Sequence, residues 1–399
     1  MNNGLTREPP LEALPRVLYA IVLEPGRKFG SLEEQIVCLS RSFAANGGHF
    51  RPLFICDENA NDSKAYQAMG IEADCLDLRT FSWSRLLKLS QLISRHGISV
   101  VHWNFTEMLR NGYLWWLTVL HPGVRHCYTD HASRTVVTGK PCGWLKKATK
   151  RLLLRRYGKV FCVSQFIIDD LARKGTCSNL ALCRHFVNTE RFRPDPAMRA
   201  TIRTKYAVQD RFVVLTVGQL IKAKGMEVLI RAMAELPDTV ILWIVGDGEE
   251  SDALQKLVSD LQLMSRVLFH GLQQNVAPFM QAADCFVCPS LWGEAAGLVL
   301  LEAGASGLPV IASRTGGIPE HVQSGVTGFL SSPGNHRELA RYMAALTDNP
   351  MLCDEMSRRS RAWAVERFSA DVMVPEYLNG YRSGKFLATF RSAQTWQVQ

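Results

Sequence analysis

Short apolar runs alternate with amphipathic stretches along almost the whole chain. RVLYAIVL (16–23) precedes a glycine-containing loop and SLEEQIVCLSRSFAAN, whose apolar positions recur at helical spacing. RPLFIC (51–56) and ISVVHWN (98–104) follow, then KVFCVS (159–164) with FIIDDLARKG behind it. Strand followed by helix, repeated, predicts a parallel sheet with helices on both faces. The alternation breaks at NTERFRPDPAMRATIRTKY, a polar stretch with two prolines and no strand period, which puts a domain boundary near residue 195. It restarts at FVVLTVG (212–218). A helix from Met226 to Leu236 comes next, then TVILWIVG (239–246), a helix through 251–262, RVLFHG (266–271) and a helix around 275–282. DCFVCPS (284–290), a helix after Gly297 and LPVIAS (308–313) complete the second series. The expected organisation is an α/β domain over 1–195, a second over 196–370, and a tail over 371–399. The tail reads as helical from about Ser369 and is expected to cross back onto the first domain. Two such domains facing each other leave a cleft, and open parallel sheets bind ligands beyond their strand carboxyl ends.

Composition narrows the class. At 399 residues, 47% apolar and 21% charged, the chain reads as a folded protein of two domains. GYLWWLTVL (112–120) falls far short of the roughly 20 residues a bilayer span requires. MNNGLTREPPLEALP has no charged-then-apolar signal pattern, so a cytoplasmic location is expected. The eleven cysteines are odd in number and scattered through apolar strands, which suits a reducing compartment better than a disulfide framework. Cys285 and Cys288 form a Cys-x-x-Cys inside a strand-like run, with no second pair and no His at ligand spacing. They read as buried thiols, not a metal site.

The net charge of +9 is local. No acid stands between Asp130 and Asp169, while nine bases do: Arg134, Lys140, Lys146, Lys147, Lys150, Arg151, Arg155, Arg156 and Lys159. On a helical wheel Trp144, Leu145, Ala148 and Leu152 share a face, with most bases opposite and Leu154 within the basic arc. Residues 144–159 therefore read either as a peripheral helix on an anionic membrane face or as a surface helix with a solvated basic side. Nucleic acid is disfavoured, since no aromatic residues interleave the bases and no recognition motif accompanies them.

The densest chemistry lies in PSLWGEAAGLVLLEAGASGLPVIAS, where Glu294 and Glu302 stand eight residues apart. A helix starting near Gly297 would set its free backbone N–H groups, an anion site, between the two carboxylates. Glu302 would then lie roughly 7 Å along the axis. Carboxylate, anion site, carboxylate matches hexose hydroxyls, diphosphate and ribose hydroxyls of a nucleotide sugar. The plain alternative is a buried strand, a turn and a core helix with two incidental acids. Lys224, in a loop that opens a helix, offers a positive charge to a leaving phosphate. Ala295, Ala296 and Gly297 are small enough for a sugar phosphate to approach the backbone. A dinucleotide site is a poorer fit. Gly246-Asp-Gly248 follows a strand, but Ser251 occupies the third glycine position and RVLFHG ends without the acid a ribose needs.

VGQLIKAKGMEVLIRAMA (217–234), VGDGEE (245–250), the Glu294-to-Glu302 spacing and TGGIPEHVQSGVTGFLSSPG (315–334) occur in an order that resembles the retaining GT-B glycosyltransferases of family 4. FGSLEEQ (29–35), TDHASR (129–134), KVFCVSQF (159–166) and RHFVNTERFRP (184–194) match more loosely. The resemblance implies two Rossmann-like domains and transfer of a hexosyl unit from a nucleoside-diphosphate sugar to a hydroxyl of a glycan or lipid-linked acceptor, in cell-surface polysaccharide synthesis. It implies that Glu294 holds hexose hydroxyls and Glu302 the ribose. Lys224, Gln219 and the backbone of Ala296, Gly297 and Leu298 would meet the diphosphate. Gly30 and Ser31 would form the loop where donor and acceptor meet. His131, of ten histidines, would reach the reacting sugar from the first domain. Retention would proceed by front-face attack, with a leaving phosphate oxygen taking the acceptor's proton and no carboxylate nucleophile. No cofactor is called for, and without an Asp-x-Asp there is no sequence case for a metal. Several positions depart from the family pattern. Gln219 stands where Arg is usual, so Lys222 becomes a candidate to compensate. Phe186 and Asn188 stand where Gly and Asp are common, and Ala296 replaces a frequent Phe. The alternative is a partner subunit of the same fold that binds nucleotide sugar without transferring it.

Overall fold

The computed structural model describes residues 13–25, 30–57, 64–106, 111–131, 154, 156–173 and 179–383. Two parallel sheets carry the fold. The first holds β1 (Arg16–Ile21), β2 (His49–Phe54), β3 (Asp74–Cys75), β4 (Val100–Asn104), β5 (Arg125–Asp130), β6 (Lys159–Cys162) and β7 (Leu180–Leu182), in the order β3-β2-β1-β4-β5-β6-β7. The second holds β8 (Phe212–Val217), β9 (Val240–Val245), β10 (Val267–Phe269), β11 (Cys285–Cys288), β12 (Val310–Ser313) and β13 (Gly328–Ser331), in the order β10-β9-β8-β11-β12-β13. Strand order reverses between β1 and β4 and again between β8 and β11. A crevice opens at each reversal, where the loops on either side diverge.

Burial on both faces explains the unbroken apolar strands. Every residue of VILWIV in β9 is buried, as expected for a parallel strand covered on both sides. Helices Met226–Met233 and His336–Asp348 cover one face, with Leu229, Ile230, Met233, Leu339 and Met343 in the core. Helices Ala277–Ala282 and Leu298–Ala305 cover the other.

Some elements differ from the sequence expectation. β2 starts at His49, not Arg51, because Arg16 to Ile21 pair in register with His49 to Phe54. GYLWWLTVL forms helix Gly112–Leu120, and the Asn111 side chain accepts from the Leu114 N–H at 3.2 Å to cap it. The strand RHCYTD of β5 has no apolar run to announce it, yet only Arg125 is exposed.

Helix Ala370–Ser383 packs on the first sheet, where Met373, Val374, Tyr377, Leu378 and Tyr381 join the core of β1 and β2. The Tyr381 hydroxyl meets His102 Nδ1. Arg361, on the preceding helix, donates to the carbonyls of Thr189, Phe192 and Ala305 at 3.0, 2.8 and 2.6 Å, tying the connection between the sheets to the second core. Cys285 and Cys288 are buried free thiols on β11. Most of the basic stretch 144–159 lies outside the described residues. Leu154, which the helical wheel sets among the bases, is buried in the first core. Among the described residues no helix is long and apolar enough to cross a membrane.

Candidate functional site

Glu294 and Lys224 meet where the second sheet reverses. Lys224 ends a short turn, Lys222–Lys224, beyond β8, and Glu294 lies in the loop beyond β11. The Lys224 ammonium stands 2.5 Å from Glu294 Oε1. The same oxygen accepts from the Ser290 hydroxyl at 2.7 Å and the Trp292 indole N–H at 3.1 Å. Burial pushes the Glu294 carboxyl up from its ordinary 4.5, but the Lys224 charge and these hydrogen bonds outweigh it, and the net shift is downward. Glu294 is therefore an ionised, oriented carboxylate at neutral pH. A depressed folded-state value means that its pairing stabilises the fold above the unfolded value. That contribution is lost as pH falls through the folded one.

Glycines make this convergence possible. Gly225 is left-handed, with φ 69°, and a Cβ there would sit 2.1 Å from the Pro289 carbonyl. The Lys224 turn thus lies flat against the end of β11, and Leu291 N–H donates to the Ala223 carbonyl at 2.8 Å. From the other side Gly316, with φ 59°, would place a Cβ 2.3 Å from the Glu294 carbonyl, while Gly317 N–H donates to that carbonyl at 2.7 Å. The Glu294 loop is clamped between two backbone approaches that no larger residue permits.

Gly297, left-handed with φ 68°, leads into helix Leu298–Ala305, so Glu302 is the fifth residue of that helix. The helix N-terminus lies between the two glutamates along the chain, as the spacing predicts. Glu302 is buried, and the Ser31 hydroxyl of the first domain donates to its Oε1. Ser31 opens helix Ser31–Ala45, and Gly30 is its N-cap. Ala295 and Ala296 are also buried against the apolar cluster of the first sheet. Glu320 further joins the domains, accepting from the Gln165 and Phe166 N–H groups at 3.0 Å and pairing with Arg184 at 3.2 Å.

Gln219 is exposed in the loop beyond β8, and Lys222 is exposed nearby. Glycines again set the loop. A Cβ on Gly246 would lie 1.9 Å from the Gly218 carbonyl, and one on Gly248 2.5 Å from that of Leu220.

His131 follows β5 at its carboxyl end. Its Nε2 meets Asn104 Oδ1 at 3.1 Å and its Nδ1 meets His185 Nε2 at 3.3 Å. The Phe105 ring stacks on it, with centroids 4.1 Å apart and planes 9° apart. Phe105 is held at φ 56°, an uncommon conformation for a bulky residue and one that costs energy. Burial, then the neighbouring His185 and His102, hold the His131 pKa well below 6.5.

Lys224, Glu294, Gly297, Leu298 and Glu302 thus come together beyond β8 and β11. Gly30 approaches through Ser31, and His131 stands on the first-domain side. Sequence reasoning missed Ser290, Trp292, Asn104 and His185. The first two sit within four residues of Glu294 but carry no signature of their own. His185 lies 54 residues from its partner in sequence, a separation no local pattern reveals.

The model of the Glycosyltransferase Family 4 domain matches residues 33–191, and that of Glycosyl transferases group 1 matches 198–363. A GDP-mannose-dependent alpha-(1-6)-phosphatidylinositol monomannoside mannosyltransferase of Mycolicibacterium smegmatis is 32% identical over 320 residues, covering 75% of this chain and 81% of the relative. The chain belongs to glycosyltransferase family 4. Family 4 membership makes it a transferase of glycosyl groups. A second relative, the lipopolysaccharide core biosynthesis glycosyltransferase LpsE of Rhizobium meliloti, is 36% identical over 169 residues, 42% of this chain and 49% of LpsE. Among solved structures, Anabaena HepE in complex with UDP and glucose superposes with TM-score 0.77 at 20% identity, covering 91% of this chain and 98% of HepE. Sucrose-phosphate synthase from Thermosynechococcus elongatus gives 0.74 at 21% identity, with 92% and 98% covered. These likenesses establish the GT-B fold for this family 4 glycosyltransferase.

Proposed function

We propose that this family 4 enzyme is a retaining, metal-independent hexosyltransferase that moves a sugar from a nucleoside diphosphate to a hydroxyl of a lipid-linked glycan. The buried, ionised Glu294 carboxylate fixed by Lys224, one turn of chain before a helix that carries Glu302, is the observation that supports it best. In this reading residues 196–370 bind the donor, 1–195 bind the acceptor, and 371–399 return to the first domain. Glu294 accepts from hexose hydroxyls. Its three donors aim it beforehand, so little reorganisation is needed when the sugar arrives. Lys224, Gln219 and the N–H groups of Ala296, Gly297 and Leu298 face the diphosphate and its growing charge. Glu302 takes the ribose, and Ser31 and Gly30 close over it. His131 faces the reacting sugar from the first domain and acts there on developing charge, since Asn104 and His185 already engage both of its ring nitrogens. The leaving phosphate oxygen takes the acceptor's proton on the face it departs from.

The mycobacterial relative named for GDP-mannose and a phosphatidylinositol mannoside makes GDP-mannose the first donor to try and a lipid the first acceptor class. A thermal-shift screen of GDP-, UDP- and ADP-sugars tests the donor, since a ligand of the native state raises Tm by mass action. Glu302→Ala should lose most of the shift and raise KM more than it lowers kcat. An unchanged shift would dismiss the ribose assignment. Gln219 favours the second reading, a binding subunit without transfer, because a neutral amide replaces a positive clamp. A sugar nucleotide that binds but is never hydrolysed or transferred would support that subunit.

A membrane-facing acceptor has support of its own. Trp83 and Trp116 project from helices Trp83–Arg95 and Gly112–Leu120, their rings 4.7 Å apart, and Leu87, Val119 and Leu120 extend the exposed apolar face. Neither helix contains an acid, while Arg85, Lys88 and Arg95 belong to the first and the Arg156 guanidinium sits 3.4 Å over the Trp115 ring. Aromatic side chains on two acid-free helices that also carry bases suit an anionic lipid surface. Replacing Trp83 and Trp116 by Ser should weaken co-sedimentation with anionic phospholipid vesicles on the order of tenfold. Retention of full binding would remove this face from the proposal.

A further inference from the structure

Two imidazoles lie end to end on the first-domain side of the cleft, held between two amide oxygens. Asn104 Oδ1 faces His131 Nε2 at 3.1 Å, His131 Nδ1 faces His185 Nε2 at 3.3 Å, and His185 Nδ1 faces Gln35 Oε1 at 2.9 Å. Each amide is oriented from its far side. Asn104 Nδ2 donates to the Ala20 and His102 carbonyls, both at 3.4 Å, and Gln35 Nε2 donates to the Phe186 carbonyl at 2.6 Å. Turning either amide would set oxygen against carbonyl oxygen. The series therefore has three contacts and an acceptor at each end. Each contact needs one proton, and two neutral imidazoles carry only two between them. The chain is complete only as a singly protonated pair.

In the free protein burial opposes that charge. It lowers His185 to about 4 and His131 well below 6.5. The other ionisable groups nearby give little relief. His102 is pushed by burial to about 3 and bonds Tyr381 and Thr129. His321 is pushed to about 3, by burial first and then by Arg184 and His185. Arg184 is paired with Glu320, and Glu34, on the Gln35 helix, with Arg191. Asp130 precedes His131, and Glu33 lies on the Gln35 helix, where Gly30 N–H donates to it. The free pair is thus neutral and one contact short.

The pair is also tied to the donor cleft. Gln35 stands four residues after Ser31, on the same face of helix Ser31–Ala45, and Ser31 is the residue that reaches Glu302. His131 stands at the carboxyl edge of the first sheet, one residue beyond β5, the strand next to β4. We propose that His131 and His185 act as one unit that takes up a single proton when the donor's diphosphate enters, so that the pair completes its own hydrogen-bond chain as a cation. An incoming negative charge is what favours the protonated form. The proton comes from solvent and stays on the pair, shared between the two rings. His185 is then a positioning residue, acting through His131, and the cation offsets part of the charge that Gln219 lacks on the facing wall. This inference rests on the reading of the cleft as the donor site.

Titration calorimetry with GDP-mannose and UDP-glucose tests it, run between about pH 6 and pH 8 in buffers of different ionisation heat. Both ligands are diphosphate diesters that do not themselves titrate there. Wild-type protein should take up about one proton per ligand bound. Because the bound value is the higher one, affinity is greatest at low pH and weakens as pH rises through it. His185→Gln keeps a donor toward His131 but cannot titrate, so uptake should fall to near zero while binding persists. Gln35→Leu removes the terminal acceptor and should also abolish uptake, which keeps the test open if the first variant does not fold. Binding without uptake, or equal uptake in the variants, overturns the shared proton alone. Failure of both sugar nucleotides to bind overturns the donor-site reading and this inference with it.

Discussion

Lys224→Ala should slow sugar transfer by about 10²–10³ in kcat. The magnitude follows from where the ammonium is held. The Lys222–Lys224 turn cannot drift, because Gly225 lies against the Pro289 carbonyl with no room for a side chain. The charge is therefore fixed before the substrate arrives, at the β8–β11 crevice where leaving-group charge would develop. The substitution also strips Glu294 of its cation. Breaking a fully buried pair costs about 3–5 kcal/mol. The Lys224 side chain is 24% exposed, so solvent makes up part of that loss and a smaller destabilisation is expected. Single-turnover rates at saturating donor, measured beside Tm, separate the two effects. A Tm that falls while kcat stays within a few-fold of wild type would leave Lys224 a structural role only.

The second half of the molecule was far more legible than the first. Its strands are buried on both faces, so each appears as an unbroken apolar run, and its glycines mark backbone approaches that admit nothing larger. Gly225, Gly246, Gly316 and Gly317 are all of this kind, and each stands in a phrase that the sequence already singled out. The first domain hides its organisation. β5 carries His126, Thr129 and Asp130 buried inside the sheet, where His126 accepts from Trp103 and Thr129 bonds His102, so hydropathy does not report the strand. The site divides in the same way. Glu294, Lys224 and Glu302 stood out as candidates because a carboxylate, a cation and a helix start fall at set spacing within phrases the sequence already singled out. Their orienting partners did not, because Ser290, Trp292, Asn104 and His185 owe their roles to close approaches that appear only once the chain is folded.

If Glu294 makes the two charge-assisted hydrogen bonds to hexose hydroxyls proposed above, worth about 1.5–3 kcal/mol each, Glu294→Ala should reduce kcat/KM by about 10²–10⁴. The truncation also orphans three donors, Lys224, Ser290 and Trp292, in a pocket where Glu294 is 5% exposed. Part of the loss is therefore disorder of the loop. Glu294→Gln distinguishes the contributions, because it retains shape and one acceptor oxygen while losing the charge that Lys224 pairs with. A Gln variant as impaired as the Ala variant would place the requirement in the charge. The double variant carries the most information. Once either partner is gone, the other has lost what aims it, so Lys224→Ala and Glu294→Ala together should cost scarcely more than the worse single change. Losses that instead multiply would mean that the ammonium and the carboxylate act on separate parts of the donor. Their 2.5 Å contact would then be a resting arrangement that the substrate pulls apart.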